Sequence, residues 1–91
     1  MEINELIDAL YQQEDKRLHG VANLLAKTAE RCKAGEVGEE TLKNQLENVG
    51  RMLEIYQIKD KVKHKAIAQK VEDLLIILAT KGVAPLVKNI F

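Results

Sequence analysis

The segment KDKVKHKAIAQK, residues 59–70, concentrates the side chains of this chain that could bind an anion. It contains one acid, one histidine and five lysines: Lys59, Lys61, Lys63, Lys65 and Lys70. Such lysines could neutralise the phosphates of a nucleic acid. On a helix, however, a spacing of two residues spreads them around the circumference, and the segment has no arginine to read bases and no aromatic ring to stack on them. We therefore favour a solvated face or a contact with an acidic protein.

The chain lacks the residue sets that common catalytic and metal sites require. It has no serine, and the motifs for phosphate cradling, dinucleotide binding and zinc proteases are missing. Neither His19 nor His64 has a second histidine or a cysteine at ligand spacing. The acid pairs at 39–40 and 72–73 suit helix starts and solvated faces better than acid/base catalysis. We therefore expect no enzyme activity, no catalytic residue, no metal and no cofactor.

The single cysteine, Cys32, lies on an apolar stripe between Arg31 and Lys33. It is either a small core residue or a thiol whose pKa the two cations lower, and we favour the core residue. One cysteine cannot form an internal disulfide, and the acidic start of the chain lacks the basic and apolar stretches of a secretory signal. We therefore expect a cytoplasmic protein.

The elements that would position these residues are helices. Apolar residues recur at spacings of three and four over residues 3–34, but the stripe lapses at residues 12–15. Either one bent helix spans residues 3–34, or a short helix ends and Asp15 caps a second one. We predict the bent helix, about 48 Å long.

Residues 35–38 have the composition of a turn between two antiparallel helices. Gly35 suits the left-handed residue that ends a helix, and Glu39 suits the first turn of the next, predicted over residues 39–58. The apolar stripe then shifts around the helix near residues 59–61, which indicates a break with Asp60 as the cap and a third long helix over residues 61–81. An unbroken helix of about 40 residues is the other interpretation.

The chain closes on LLIILATKGVAPLVKNIF, residues 74–91. Its unbroken apolar run, residues 74–79, is shorter than the roughly 20 residues of a membrane-spanning helix, so we expect no membrane span. Gly82 and Pro85 predict a stop and a last short helix over residues 85–90. A helix this short needs a surface to pack on, in the same chain or in a partner. The candidate partner-binding residues are therefore Leu86, Val87, Ile90 and Phe91.

Together these patterns predict one all-α domain over residues 1–91, an antiparallel helical hairpin elaborated to a three- or four-helix bundle. A first helix of 32 residues is too long for a compact monomer of 10.3 kDa, so we expect a homodimer to complete the bundle. Residues 1–40 carry nine acids and five bases and residues 41–91 the reverse, which we interpret as attraction between helices. The predicted core residues are Ile7, Leu10, Val21, Leu25, Leu46, Val49, Leu53, Val71, Leu74 and Leu78.

The predicted function is a non-enzymatic protein–protein interaction module, such as a small adaptor, inhibitor or assembly factor with an unknown protein partner. The alternative is a nucleic-acid-binding protein that uses the lysines of residues 59–70. A gel shift at low and at moderate salt, with those lysines replaced by glutamine, discriminates between the two because phosphate contacts weaken steeply with salt.

Overall fold

A computed structural model describes residues 2–56 and 58–88, in which all regular secondary structure is helical. This confirms the predicted all-α class. The helices, in chain order, are α1 (Ile3–Tyr11), α2 (Lys16–Lys33), α3 (Glu39–Tyr56), α4 (Lys61–Lys81) and α5 (Ala84–Val87).

Each helix packs against the next, and α1 also packs against α4, so the four longer helices surround a common core. The short helix α5 packs against α1, α2 and α4. The Cα radius of gyration is 12.3 Å and the extents are 36 × 23 × 20 Å. A compact chain of this length has a radius of gyration of about 12 Å, so these dimensions are those of one compact chain.

The bent first helix is wrong, because the chain ends α1 at Tyr11 and starts α2 at Lys16. The polar run between them caps both ends. The Gln13 side chain donates to the carbonyl of Ala9 at 3.1 Å, and the carboxylate of Asp15 accepts from the backbone N–H of Arg17 at 2.9 Å. These bonds satisfy backbone groups that a continuous helix would satisfy itself, so the chain can reverse here.

The connection from α2 to α3 closes with a Schellman motif. Gly35 has a φ of 77°, and its N–H donates to the carbonyl of Cys32 at 3.1 Å. The N–H of Glu36 donates to the carbonyl of Arg31 at 2.9 Å. This pair of bonds defines the motif and ends α2 sharply, as the glycine predicted.

Helices α3 and α4 are separate, and Asp60 is the N-cap of α4. Its carboxylate accepts from the N–H groups of Val62 and Lys63 at 3.0 and 3.2 Å. The shifted apolar stripe therefore reflects two helices, and the unbroken helix is wrong. Both this connection and residues 12–15 line one cleft, so they lie at the same end of the molecule, called here the connection end.

The core contains nine of the ten predicted residues and excludes Val21, which is half-buried. On α2 the inward positions follow Leu18, Ala22 and Leu25, so the small Ala22 faces inward in place of its larger neighbour. The fully and nearly fully buried apolar residues are Ile3, Leu6, Ile7, Leu10, Leu18, Ala22, Leu25, Ala29, Cys32, Leu42, Leu46, Val49, Leu53, Ile67, Val71, Leu74, Leu78, Leu86 and Val87. Among the described helices, none has the length and apolar character needed to cross a membrane.

Two glycines should respond oppositely to alanine. Gly20 lies inside α2 with open space where a Cβ would stand, so Gly20→Ala should raise the free energy of unfolding by about 0.5–1 kcal/mol. Gly35→Ala should lower it by about 1–2 kcal/mol, because a side chain is strained at its positive φ. Denaturant unfolding of both variants measures the difference, and effects of the same sign would contradict it.

Candidate functional site

The cleft at the connection end has a volume of about 520 Å³ and balanced charge. Its acids are Glu14, Asp15 and Asp60, and its bases are Arg17, Lys59 and Lys63. Because each charge has opposite charges nearby, the cleft presents no strong field of either sign.

Arg17 joins the start of α2 to the end of α3. Its guanidinium donates to both carboxylate oxygens of Asp15, at 2.7 Å from Nη2 and 3.0 Å from Nε, and lies 4.2 Å from the centre of the Tyr56 ring. The hydrogen bonds from the Arg17 side chain, and then from its backbone N–H, lower the pKa of Asp15 from 3.8 to about 2. Arg17 thus links α2 to α3 at the connection end and has a structural role there.

The stability contribution of Asp15 should depend on pH. Its pKa is lower in the folded chain than in the unfolded one, so ionised Asp15 stabilises the fold above about pH 4, and this stabilisation is lost as the pH falls toward 2. Asp15→Asn keeps a capping oxygen but does not titrate. The wild type should therefore melt above the variant at neutral pH, with a gap that closes in acid, as thermal unfolding across pH would show. A gap independent of pH would contradict this.

A second depression, the α3–α4 groove, lies between the end of α3 and the start of α4 and has a volume of about 740 Å³. Its lining residues are Leu53, Glu54, Ile58, Lys59, Lys61, His64 and Lys65. His64 fixes the two helices to each other here, because its Nε2 donates to the backbone carbonyl of Leu53 at 3.2 Å. The three lysines outnumber the single acid, so the groove is basic as well as partly apolar.

The five lysines proposed as nucleic-acid contacts do not form one surface. Lys61 and Lys65 line the α3–α4 groove, Lys63 lines the cleft, and Lys59 lines both. Lys70 is half-buried and lines neither.

The interpretation of the charge split as attraction between helices explains only part of it. Lys88 pairs with Glu2 at 3.8 Å and so links the basic half of the chain to the acidic half. Lys59, Lys61 and Lys65 make no ion pair with any residue of 2–56 or 58–88. The lysines of the α3–α4 groove therefore have no ion-pair partner within the described chain.

The structure places two of the four C-terminal candidates in the core. Leu86 is fully buried and Val87 nearly so, because α5 packs on α1, α2 and α4. Neither side chain is available to a partner. Ile90 and Phe91 lie outside the described residues. The apolar end of the chain, so far as it is described, packs into the core.

Cys32 and His19 both have structural surroundings. Burial raises the pKa of the Cys32 thiol, so the neighbouring cations do not activate it. The Nε2 of His19 donates to the carbonyl of Gln13 at 2.6 Å, and its ring centre lies 6.0 Å from that of Tyr11. Within the described residues no three His, Cys, Asp or Glu side chains converge on a point where a metal ion could bind.

Comparison with known proteins finds no match to a family model, a curated protein or a solved structure. The class of protein is therefore defined by its architecture alone, as a small all-helical chain. Among the described residues, the α3–α4 groove is the feature from which we infer a function. Sequence reasoning missed this groove, although the four-residue spacing of Lys61 and Lys65 after a helix break is a signal that points to it.

Proposed function

We propose that this chain is a non-enzymatic protein–protein interaction module. The observation that carries the proposal is the α3–α4 groove, where the partly exposed apolar side chain of Ile58 lies among lysines that have no ion-pair partner in the described residues. Protein interfaces combine an apolar centre with a polar rim in this way.

The groove is suited to binding and not to covalent chemistry. Its lysines are exposed, and its histidine is held by the backbone carbonyl of Leu53. None of its lining residues is a serine, threonine or cysteine, whose side chains are common nucleophiles in covalent catalysis. We therefore propose that the protein acts without a catalytic residue or cofactor, and we also propose that it acts in the cytoplasm.

Affinity purification of the tagged chain from its own cells, with quantitative mass spectrometry, tests the proposed function. We expect one protein or complex to co-purify in near-stoichiometric amount. The Lys27→Glu/Lys43→Glu variant, with exposed substitutions outside the groove, serves as a charge-matched control and should retain that partner. Absence of any enriched protein from cells that express the chain at its normal level would contradict the proposal.

For the assembly, we propose that the four longer helices form a bundle of the predicted class and that two chains associate. The length of the first helix no longer supports a homodimer, because α1 and α2 replace the single helix of about 48 Å. The remaining support is α4, on which Val62 and Ile76 are 79% and 61% exposed and, about four turns apart, lie on nearly the same side.

The dimer has a direct test in the molar mass. Light scattering behind size exclusion at micromolar concentration should give twice the 10.3 kDa of one chain. Val62→Lys/Ile76→Lys should return the mass to that of one chain, because the substitutions place charges in the proposed contact. A single-chain mass for the wild type would refute the dimer.

A further inference from the structure

We propose that the α3–α4 groove binds an acidic amphipathic helix, a partner segment whose apolar side faces the groove floor and whose carboxylates face its lysines. This inference rests on the proposed function and specifies the chemistry of the partner. Its observations are the apolar floor, the unpaired lysines on one edge and the placement of those lysines on a rigid helix.

The floor of the groove is apolar and framed by two helices. Its accessible apolar side chain is that of Ile58 in the connection, which lies over the buried Leu53 of α3, and the His64 hydrogen bond fixes α4 beside α3. The volume of about 740 Å³ is that of a small-molecule cleft, about 300–1,000 Å³, and so admits side chains of a partner and not its whole helix. Apolar side chains from one face of a partner helix would therefore find room and a preformed surface.

Lys61 and Lys65 determine the charge that a partner segment needs. They are four residues apart on α4, which places them on one face of the helix about 6 Å apart along its axis. Acids four residues apart on a partner helix have the same spacing. Lys59 adds a third cation, while Glu54 is the single acid in the lining. Charge complementarity therefore favours an anionic segment.

The position of Lys61 supports a binding role over a folding role. It is the first residue of α4, and Lys63 also lies in the first turn, where the positive end of the helix disfavours cations. Asp60 is the acid that caps this end. Lysines that oppose the helix dipole and pair with no described residue do not serve the stability of α4, but they do attract an anion to the groove.

A helix fits these features better than a nucleic acid does. The groove contains no arginine and no Phe, Tyr or Trp ring, the side chains that commonly read bases or stack on them. Two of the five lysine candidates for phosphate contact, Lys63 and Lys70, do not line the groove. An apolar side chain makes no favourable contact with a phosphate, whereas it can pack against the apolar face of an amphipathic helix.

The test is fluorescence anisotropy with the full chain and a labelled peptide of about 18 residues, built from leucine, alanine and glutamate as an amphipathic helix. We expect saturable binding that weakens with salt. A peptide with lysine for glutamate, and one with glutamine for leucine, should each bind at least about tenfold more weakly. Equal binding of the leucine-free peptide would overturn the role of the apolar floor, and no binding of the acidic peptide would overturn the proposal.

The matched variants locate the binding site. Lys61→Glu/Lys65→Glu should weaken the acidic peptide by at least about tenfold, while Lys27→Glu/Lys43→Glu, with the same change in net charge at exposed positions outside the groove, should not. The groove variant should melt at or above the wild-type temperature, because Lys61→Glu places an acid in the first turn of α4. Equal weakening by both pairs would mean nonspecific attraction and overturn the groove as the site.

Other occupants appear as distinct outcomes. A single-stranded oligonucleotide that binds more tightly than the acidic peptide, with the same dependence on Lys61 and Lys65, would overturn the proposal in favour of nucleic acid. A peptide that halves the mass of a dimer would identify a second copy as the occupant and overturn it too. If a purified partner is retained by the groove variant, this inference fails and the proposed function stands; if no partner is found, the proposed function fails.

Discussion

Replacing Leu86 with alanine is expected to lower the free energy of unfolding by about 2–5 kcal/mol, the range found for buried leucines. Leu86 is fully buried although it belongs to a helix of four residues, because α5 packs against α1, α2 and α4. Removing its side chain leaves a cavity where three helices meet. For a domain of this size the melting temperature should fall by about 10 °C or more, measurable by circular dichroism.

The matched control for Leu86 is Leu24→Ala. Leu24 lies within α2 and is 47% exposed, so the same chemical change there should cost much less than at the buried site. If Leu86→Ala were as mild as Leu24→Ala and instead released a co-purifying partner, the C-terminal segment would be a docking element, as its composition first suggested. A large loss of stability assigns it to the core.

The helix ends that could be predicted from the sequence were those with one clear chemical signal. Gly35 ends α2 because a residue with a φ of 77° strains any side chain, and Asp60 starts α4 because its carboxylate accepts two free N–H groups. Each signal acts within one helical turn, so local sequence contains all the information that it needs.

The end of α1 was missed because its signal is ambiguous in the sequence. Asp15 was recognised as a possible cap, but Gln13, which bonds back to Ala9, is a good helix former and does not mark an end. Whether the chain bends or reverses there depends on α1 packing against α2 and α4, which are contacts between distant residues. Tertiary packing therefore determines that the chain forms two helices here. The predicted long helix is absent, and a dimer is no longer needed to accommodate it.

For the candidate site, the sequence predicted the residue types but not where they lie in the fold. The lysines of residues 59–70 were recognised, but their division between two depressions follows from where α4 begins and how it packs on α3. Likewise, Leu86 and Val87 were recognised as apolar residues in need of a surface, and composition alone could not assign that surface to the same chain.

The strongest test of the packing is on α4, where the run LLIIL offers apolar residues on every side. Leu74 is fully buried, whereas Ile76 is 61% exposed, so the helix buries one face and leaves apolar side chains on the other. Leu74→Lys should cost more than about 3 kcal/mol, because it places a charge in the core, and should leave the chain largely unfolded at moderate temperature.

Ile76→Lys, two residues away, should change the stability of the single chain, apart from the loss of the proposed dimer contact, by no more than about 0.5 kcal/mol. The new lysine would lie four residues after Glu72, a spacing that favours an ion pair on the helix surface. Denaturant unfolding of both variants measures the difference between their free energies of unfolding. Both variants introduce lysine, so the helix propensity of the new residue cannot account for a large difference. If Ile76→Lys unfolded the chain and Leu74→Lys did not, α4 would be rotated by about half a turn, and the α3–α4 groove, which depends on the same rotation, would not exist.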